Sequence, residues 1–317
     1  MTTANTGTTT VDTKKELDKR MSLKDAIGRF VRDGSSIAFG GMGGDQVVAP
    51  TYEIIRQGQK GLTLMGDSPC EPGDLLLGTG QIKRIEVAWL GYAVAGVSPN
   101  YRRAVEQGVP HEIEVFEFSN YTMGLRFLAG ALNVPFMVTR SLLGSSIPQY
   151  NDMIKVIDDP YTSKPIALVP AATPDVAIVH VNRADILGNA QFLGFSANSE
   201  NIARAAERTI ITCEEIVSTD EIRKSSCLTV IPQYAVDAVV EVPFGSHPWN
   251  MPYAYAYDLP FHMEMMDRIS SEEGFKSWLE EWAFGCEDHE AYCEKVGIDR
   301  LRRLTDIETK FCCSIVD

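Results

Sequence analysis

The strongest constraint on this chain is an alternation of two patterns. Short apolar or β-branched runs are separated by segments whose apolar residues recur at helical spacing. The runs are Ser36–Phe39, Leu62–Met65, Val115–Phe118, Pro165–Val169, Val176–Val181, Thr209–Thr212 and Ala238–Val242, with one or two further strands within Ile82–Val94. Between them, Leu23, Ala26, Ile27, Phe30 and Val31 share a helix face after Ser22, an N-cap residue, and Gly34 ends that helix. Further helices are expected from near Pro50, over Asp74–Leu77 and over Met123–Leu132. Runs that are apolar throughout suit strands buried on both faces, and such strands pair in parallel through helical crossovers. The expectation is an α/β fold with a mostly parallel sheet and helices on both faces.

After Ser270 the pattern changes. Phe275, Trp278, Leu279 and Trp282 fall on one helix face, and residues 271–317 read as a helical C-terminal extension. Residues 1–20, rich in Thr and then in charge, read as a disordered tail, which leaves 21–270 as the α/β domain.

Charge and cysteine usage narrow the function. Lys and Arg number 29 and Asp and Glu 43, so the net charge is 29 − 43 = −14. A nucleic-acid binder needs the reverse balance, and an anionic membrane surface is excluded as a partner on the same ground. The 7 cysteines are an odd number in a long chain and form no C-x-x-C, which predicts thiols in a reducing compartment. Met1–Val11 has neither the charged start nor the apolar core of a signal peptide, and the longest apolar stretch, Val87–Val97, is too short to span a bilayer. The reading is a cytoplasmic protein.

One glycine-rich segment carries the sharpest functional signal. Ser36–Phe39 runs into Gly40-Gly41-Met42-Gly43-Gly44. Glycines after a buried strand let backbone amides approach a phosphate or a developing oxyanion, and they also serve a plain tight turn. The spacing is neither a dinucleotide fingerprint nor a P-loop, since position 46 is Gln and no Gly-Lys-Ser/Thr comes after it. Gly144-Ser145-Ser146 offers amides and hydroxyls but suits a surface turn, and Ser119-Asn120 is a polar pair at a strand end. Cys286, His289 and Cys293 have metal-like spacing; their acidic neighbours suit a solvated helix, and no fourth ligand is near. His247, in Gly245-Ser246-His247-Pro248, reads as structural. Glu214 and Glu215 end a strand, where they could cap the next segment or face another protein chain.

In order along the chain, these segments resemble family I CoA-transferases, specifically the A (α) subunit of glutaconate CoA-transferase and its relatives. The resemblance runs from Asp33–Gly44 through Glu53–Gly58, Asp175–His180, Arg183–Asp185, Ala205–Arg208, Thr212–Val217, Glu221–Arg223 and Asp237–Val240 to Pro243–Pro248, across roughly residues 21–310. Met42 stands where the family has Phe, and Gln46 and Val48 where it often has Gly and Pro. The resemblance implies the NagB/RpiA/CoA-transferase-like scaffold and a heteromer. It also implies a B subunit whose Ser-Glu-Asn-Gly segment carries the nucleophilic glutamate, so this chain would hold no catalytic residue. Ser199-Glu200-Asn201 here is followed by Ile202 rather than Gly, and Ser199 reads as a helix cap.

The implied reaction moves CoA from an acyl-CoA to a free carboxylic acid, with CoA as substrate and no bound cofactor or metal. Gly40, Gly41, Met42 and Gly43 would support the reacting carboxyl. Asn120 would donate its amide, Gly144, Ser145 and Ser146 would line the acyl side, and Ser68 would stand nearby. Met42, Gln46, Tyr121 and Trp249 would shape the pocket. Hydrolases and decarboxylases share the scaffold. The hydrolases have an acidic residue near the position of Asn120, whose amide cannot act as a general base. A scaffold chain without activity is the non-enzymatic alternative. A sugar-responsive repressor would need a basic DNA-binding module that is not evident.

Overall fold

The computed structural model describes residues 17–92 and 96–316. Its strands are β1 (Ser36–Phe39), β2 (Leu62–Gly66), β3 (Ile82–Val87), β4 (Gly91–Tyr92), β5 (Gly96–Val97), β6 (Glu114–Glu117), β7 (Phe136–Thr139), β8 (Lys155–Asp158), β9 (Pro165–Pro170), β10 (Val176–Ala184), β11 (Ala190–Gln191), β12 (Arg208–Ile216), β13 (Thr229–Ile231) and β14 (Ala238–Glu241). The helices are α1 (Leu23–Phe30), α2 (Val48–Gln57), α3 (Cys70–Gly78), α4 (Pro99–Gln107), α5 (Asn120–Ala131), α6 (Ile147–Tyr150), α7 (Ser199–Ala205), α8 (Thr219–Lys224), α9 (Leu259–Ile269), α10 (Glu272–Trp282), α11 (His289–Val296) and α12 (Ile298–Val316).

Seven strands follow the order β6-β3-β2-β1-β10-β12-β14, each parallel to its neighbours. The chain first winds outward from β1 through β2, β3 and β6. It then returns to β10 on the other side of β1 and winds out through β12 and β14. The direction reverses between β1 and β10, which is the topological switch point. β10 outlasts β1, and Arg183 and Ala184 at its far end take β11 as an antiparallel neighbour; β11 in turn pairs with β13.

The parallel strands read as continuous apolar runs because both faces are covered. Ile37 and Phe39 face one core with α1, α2, α3, α9 and α10, while Ala38 faces a second core with α5 and α7. Ser22 caps α1 as its sequence suggests, its hydroxyl accepting the Asp25 amide at 3.0 Å. Phe275, Trp278, Leu279 and Trp282 are buried on one face of α10 and join the core that holds Ile37 and Leu64.

Some elements differ from expectation. Pro165–Val169 is a strand but lies outside the parallel sheet: β7, β9 and β8 form a separate antiparallel sheet. The cause is one-sided burial, since Ala167 and Val169 are buried while the residues between and beside them are not. The helix expected over Asp74–Leu77 extends over all of α3, and α5 starts at Asn120 rather than Met123. Residues 1–16 of the expected tail and residues 93 and 94 of the Ile82–Val94 run lie outside the described residues. The five cysteines whose side chains are described, Cys70, Cys213, Cys227, Cys286 and Cys293, are free thiols.

Candidate functional site at the switch point

In a parallel sheet the carboxyl ends of the strands line one edge, and a crevice opens there where the winding reverses. At this edge β1 delivers the glycine turn, β2 delivers Asp67 and Ser68, and β6 leads through Ser119 into α5. The Gly40 amide continues the sheet by donating to the Ile178 carbonyl at 2.9 Å. The Gly41 amide donates to Ser199 Oγ at 3.3 Å. Both of these amides are therefore engaged inside the protein.

The glycines are required by close approach and by backbone conformation. A Cβ on Gly40 would stand 2.9 Å from Ser199 Oγ, and one on Gly41, at φ +94°, would stand 2.7 Å from the Asp45 carbonyl oxygen. Gly43, at φ +79°, faces open space. It is the member of the turn that a ligand can reach most closely.

Asp45 closes the turn at φ 47° and is almost fully buried. Burial pushes its carboxyl up to about 8, against the downward pull of the Met42 amide. The group is thus neutral at pH 7. Its own amide donates to the Asn250 carbonyl at 2.9 Å, which ties the turn to the segment after His247.

Ser68 is buried just ahead of α3. Its neighbour Asp67 accepts a hydrogen bond from Asn198 Nδ2 at 2.7 Å. Burial pushes the Asp67 carboxyl up to about 6, and the Asn198 bond lowers it. Asn198 also packs on α5, where a Cβ on Gly124 would meet its amide nitrogen at 2.9 Å. The pair Asn198-Ser199 therefore stitches together the ends of β1 and β2 and the first turns of α5.

Ser119 and Thr122 form a reciprocal capping box at the start of α5, the Thr122 amide donating to Ser119 Oγ at 3.2 Å. Asn120 and Tyr121 come next in the first helical turn, both exposed. The N-terminus of this 12-residue helix favours an anion in front of it. Met42 is exposed beside the turn, whereas Gln46 and Trp249 are buried and can shape a pocket only from behind. Gly144, Ser145 and Ser146 form an exposed turn, with Ser145 Oγ donating to the Leu142 carbonyl at 2.9 Å.

Other segments resolve into structural roles. Ser199 is not a helix cap: it is the first residue of α7 after Asn198, and its hydroxyl takes the Gly41 amide. Glu200 pairs with Arg204 at 2.7 Å along the helix. Glu214 neither caps nor faces outward; it accepts from Tyr255 Oη at 2.9 Å and from the Phe244 amide at 2.7 Å, and it lies 2.6 Å from His180 Nε2. His247 is buried between Asp258 at 3.1 Å and Tyr292 at 2.7 Å. Cys293 Sγ lies 3.4 Å from His289 Nε2, while Cys286 turns away to the Glu281 carbonyl at 3.8 Å. The site residues that sequence reasoning missed are Asp67 and Asn198; a strand-end Asp-Ser pair was the one visible hint.

The doubly wound α/β scaffold puts the glycine turn at its switch point, while α5 starts at the carboxyl end of β6, three strands from β1 along the same edge. The family model described as "Coenzyme A transferase" matches residues 20–242, and the chain belongs to that family. It is 36% identical over 276 residues to the A subunit of 3-oxoadipate CoA-transferase of Pseudomonas knackmussii, covering 87% of this chain and 97% of that one. The crystal structure of glutaconate coenzyme A-transferase from Acidaminococcus fermentans superimposes with a TM-score of 0.84 at 33% identity, covering 90% of this chain and 95% of that one. An uncharacterized protein of Archaeoglobus fulgidus is 43% identical over 300 residues, and the chain spans 66% of its length. At 28% identity the chain is also similar to a cholesterol ring-cleaving hydrolase subunit of Mycobacterium tuberculosis and to the AibA/AibB decarboxylase.

Proposed function

We propose that this chain is the A subunit of a two-subunit CoA-transferase that moves CoA from an acyl-CoA to a free carboxylic acid. The carrying observation is the glycine turn at the switch point, fixed by the hydrogen bond from the Gly41 amide to Ser199. Two relatives are named as A subunits of CoA-transferases, which supports a separate B subunit.

In this reading the nucleophile is a glutamate of the B subunit. Its carboxylate attacks the thioester carbonyl, CoA thiolate leaves, and a mixed anhydride forms. The thiolate then attacks the glutamyl carbonyl and releases the first acid, and the resulting glutamyl-CoA passes CoA to the second acid by the reverse steps. Each addition develops an oxyanion that needs fixed donors. This chain supplies one wall: Gly43 admits the reacting carboxyl, Asn120 offers its amide, and the α5 N-terminus favours the negative charge. Ser68 stands behind the turn, and Gly144, Ser145 and Ser146 border the acyl side.

The hydrolase reading is disfavoured by Ser119, Asn120 and Tyr121, none of which carries a carboxylate.

The test is to isolate the tagged chain with its partner and incubate the pair with acyl-CoAs and acceptor acids. Transfer of CoA only when acceptor is present, with borohydride trapping a modified glutamate on the partner, is the expected result. Free acid released without acceptor, or loss of carbon dioxide, would replace transfer by hydrolysis or decarboxylation. A partnered chain inert in every assay would leave the scaffold role.

A further inference from the structure

The small antiparallel sheet is apolar on the side that faces away from the core. Its register sets the members of that side: Phe136 lies opposite Pro170, Val138 opposite Leu168, Ile157 opposite Ile166, and Lys155 opposite Leu168. Residues paired across strands point to the same face. Phe136, Val138 and Ile157 are 45%, 57% and 44% exposed. The other face, with Met137, Ala167 and Val169, packs into the core that holds Phe127 of α5. A sheet with one solvated face alternates apolar inward and polar outward. Here the outward side is apolar as well, and a contiguous exposed apolar patch marks an interaction surface.

Charge selects the occupant. The chain carries a net −14, so two copies repel wherever their acidic surfaces meet. Contact between copies therefore needs a face free of acids. On the outer face the one charged residue among the described residues is Lys155, in the edge strand β8, while Asp158 has the opposite parity and belongs to the other face. Position separates this face from the crevice. Leu132 and Val134, exposed too, lead into Phe136 at the C-terminal end of α5. That end lies 12 residues, or about 18 Å, from the helix start at the carboxyl edge of the sheet. A chain that completes the crevice has its contacts at the other end of α5.

We propose that a second copy of this chain packs on the outer face of the β7-β9-β8 sheet, so that the two sheets stack face to face about a two-fold axis. An isologous pair uses the same patch on both copies, and two-fold dimers are the commonest homo-oligomers. Stacked sheets lie about 10 Å apart with their side chains interdigitated. Lys155, on the edge strand, stays at the rim of the contact. Three strands of about four residues cover a patch of about 10 Å by 13 Å. With Leu132 and Val134 added, this is the apolar centre of a small interface, so the expected dissociation constant is micromolar. The proposal is independent of the reaction the chain supports.

The experiment is sedimentation velocity of the full chain over a concentration series that brackets the micromolar range. Wild type is expected to pass from monomer to dimer. Val138→Glu sets two acids against each other across the axis, and Phe136→Ser and Ile157→Ser each remove an apolar anchor. All three side chains are exposed in the single chain, so the variants should keep the wild-type circular dichroism. Each should weaken dimerisation about tenfold or more. Phe195→Ser, which removes an exposed aromatic side chain from the loop ahead of α7, should leave the equilibrium unchanged. Hydrogen exchange at residues 136–139 and 155–158 should slow as the concentration of wild type rises.

A wild-type chain that stays monomeric throughout the series would overturn the proposal. So would a dimer that the outer-face variants leave intact, or one that Phe195→Ser dissolves. The same variants are measured in the pair with the B subunit. If they break that pair while the chain alone never self-associates, the face belongs to the B subunit and the proposal fails. CoA transfer enters none of these readouts, so loss of the transferase reading would leave the dimer standing, and a transferase with a monomeric chain would do the opposite.

Discussion

At the residue scale, the glycine turn is held by neighbours distant in sequence. Gly41 meets Ser199 across 158 positions, and Asp67 meets Asn198 across 131. The glycines themselves were legible because a run of them after a buried strand has few uses. Their partners were not, because Ser199 and Asn198 look like ordinary helix-start residues until the fold brings them to the turn. Asp45 shows what the turn costs. Its carboxyl titrates at about 8 in the folded chain, against 3.8 for an unburied aspartate, so between those values the folded state holds a proton that the unfolded state has lost. Stability then falls as pH rises through that window, by up to about 1.4 kcal/mol per pH unit. Asp45→Asn removes the ionisation and keeps a side chain tolerant of positive φ. The variant should unfold at higher urea concentration than wild type at pH 7.5 and match it near pH 4. Parallel pH profiles of the two proteins in urea titrations would refute the assignment.

At the element scale, the sequence exposed the parallel sheet more clearly than the small antiparallel one. β10 is buried at every position except Arg183, so its apolar run is unbroken. β7 exposes Phe136 and Val138 and half-buries Met137 and Thr139, so its burial alternates, but its exposed side chains are apolar and the sequence therefore shows no alternation of apolar and polar residues. One ion pair ties these two parts together. Arg126 on α5 meets Glu86 on β3 at 2.5 Å, with both side chains almost fully buried, and also donates to the Pro170 carbonyl of β9 at 3.1 Å. Its guanidinium lies 4.2 Å over the ring of Phe118. Glu86 also pairs with Arg84 at 2.7 Å, so Arg126→Met removes one of its two cations together with the Pro170 bond and should cost about 1.5–3 kcal/mol in chemical denaturation. The double variant Glu86→Leu/Arg126→Met should recover part of that loss. A double variant as unstable as the single one would show that the Pro170 bond and the Phe118 contact, rather than the charge pair, hold α5 in place.

At the scale of the whole molecule, the C-terminal helices pack into the sheet's own core. Trp278 is fully buried, its indole donating to Tyr52 Oη of α2 at 3.0 Å. Its ring lies 5.5 Å from those of both Phe261 and Trp282, and the guanidinium of Arg268 sits 5.0 Å above it. The change of pattern after Ser270 was legible in the sequence; the docking of Trp278 on Tyr52 was not, since the 226 positions between them carry no local signal. A shared core makes the extension and the sheet one cooperative unit, which can be measured. With Trp89 and Trp249 replaced by Phe, Trp278 and Trp282 report on the extension by fluorescence, while far-ultraviolet circular dichroism reports on the whole backbone. The two probes should give coincident urea transitions. Trp278→Ala should shift both together, with a loss of about 3–5 kcal/mol, the usual cost of removing a buried indole. Loss of the fluorescence transition at low urea with the backbone signal intact would instead make the helices a separately folding unit. In that case the α/β domain would stand without them, and the crevice at the switch point would be open to study in a chain ending near Ser270.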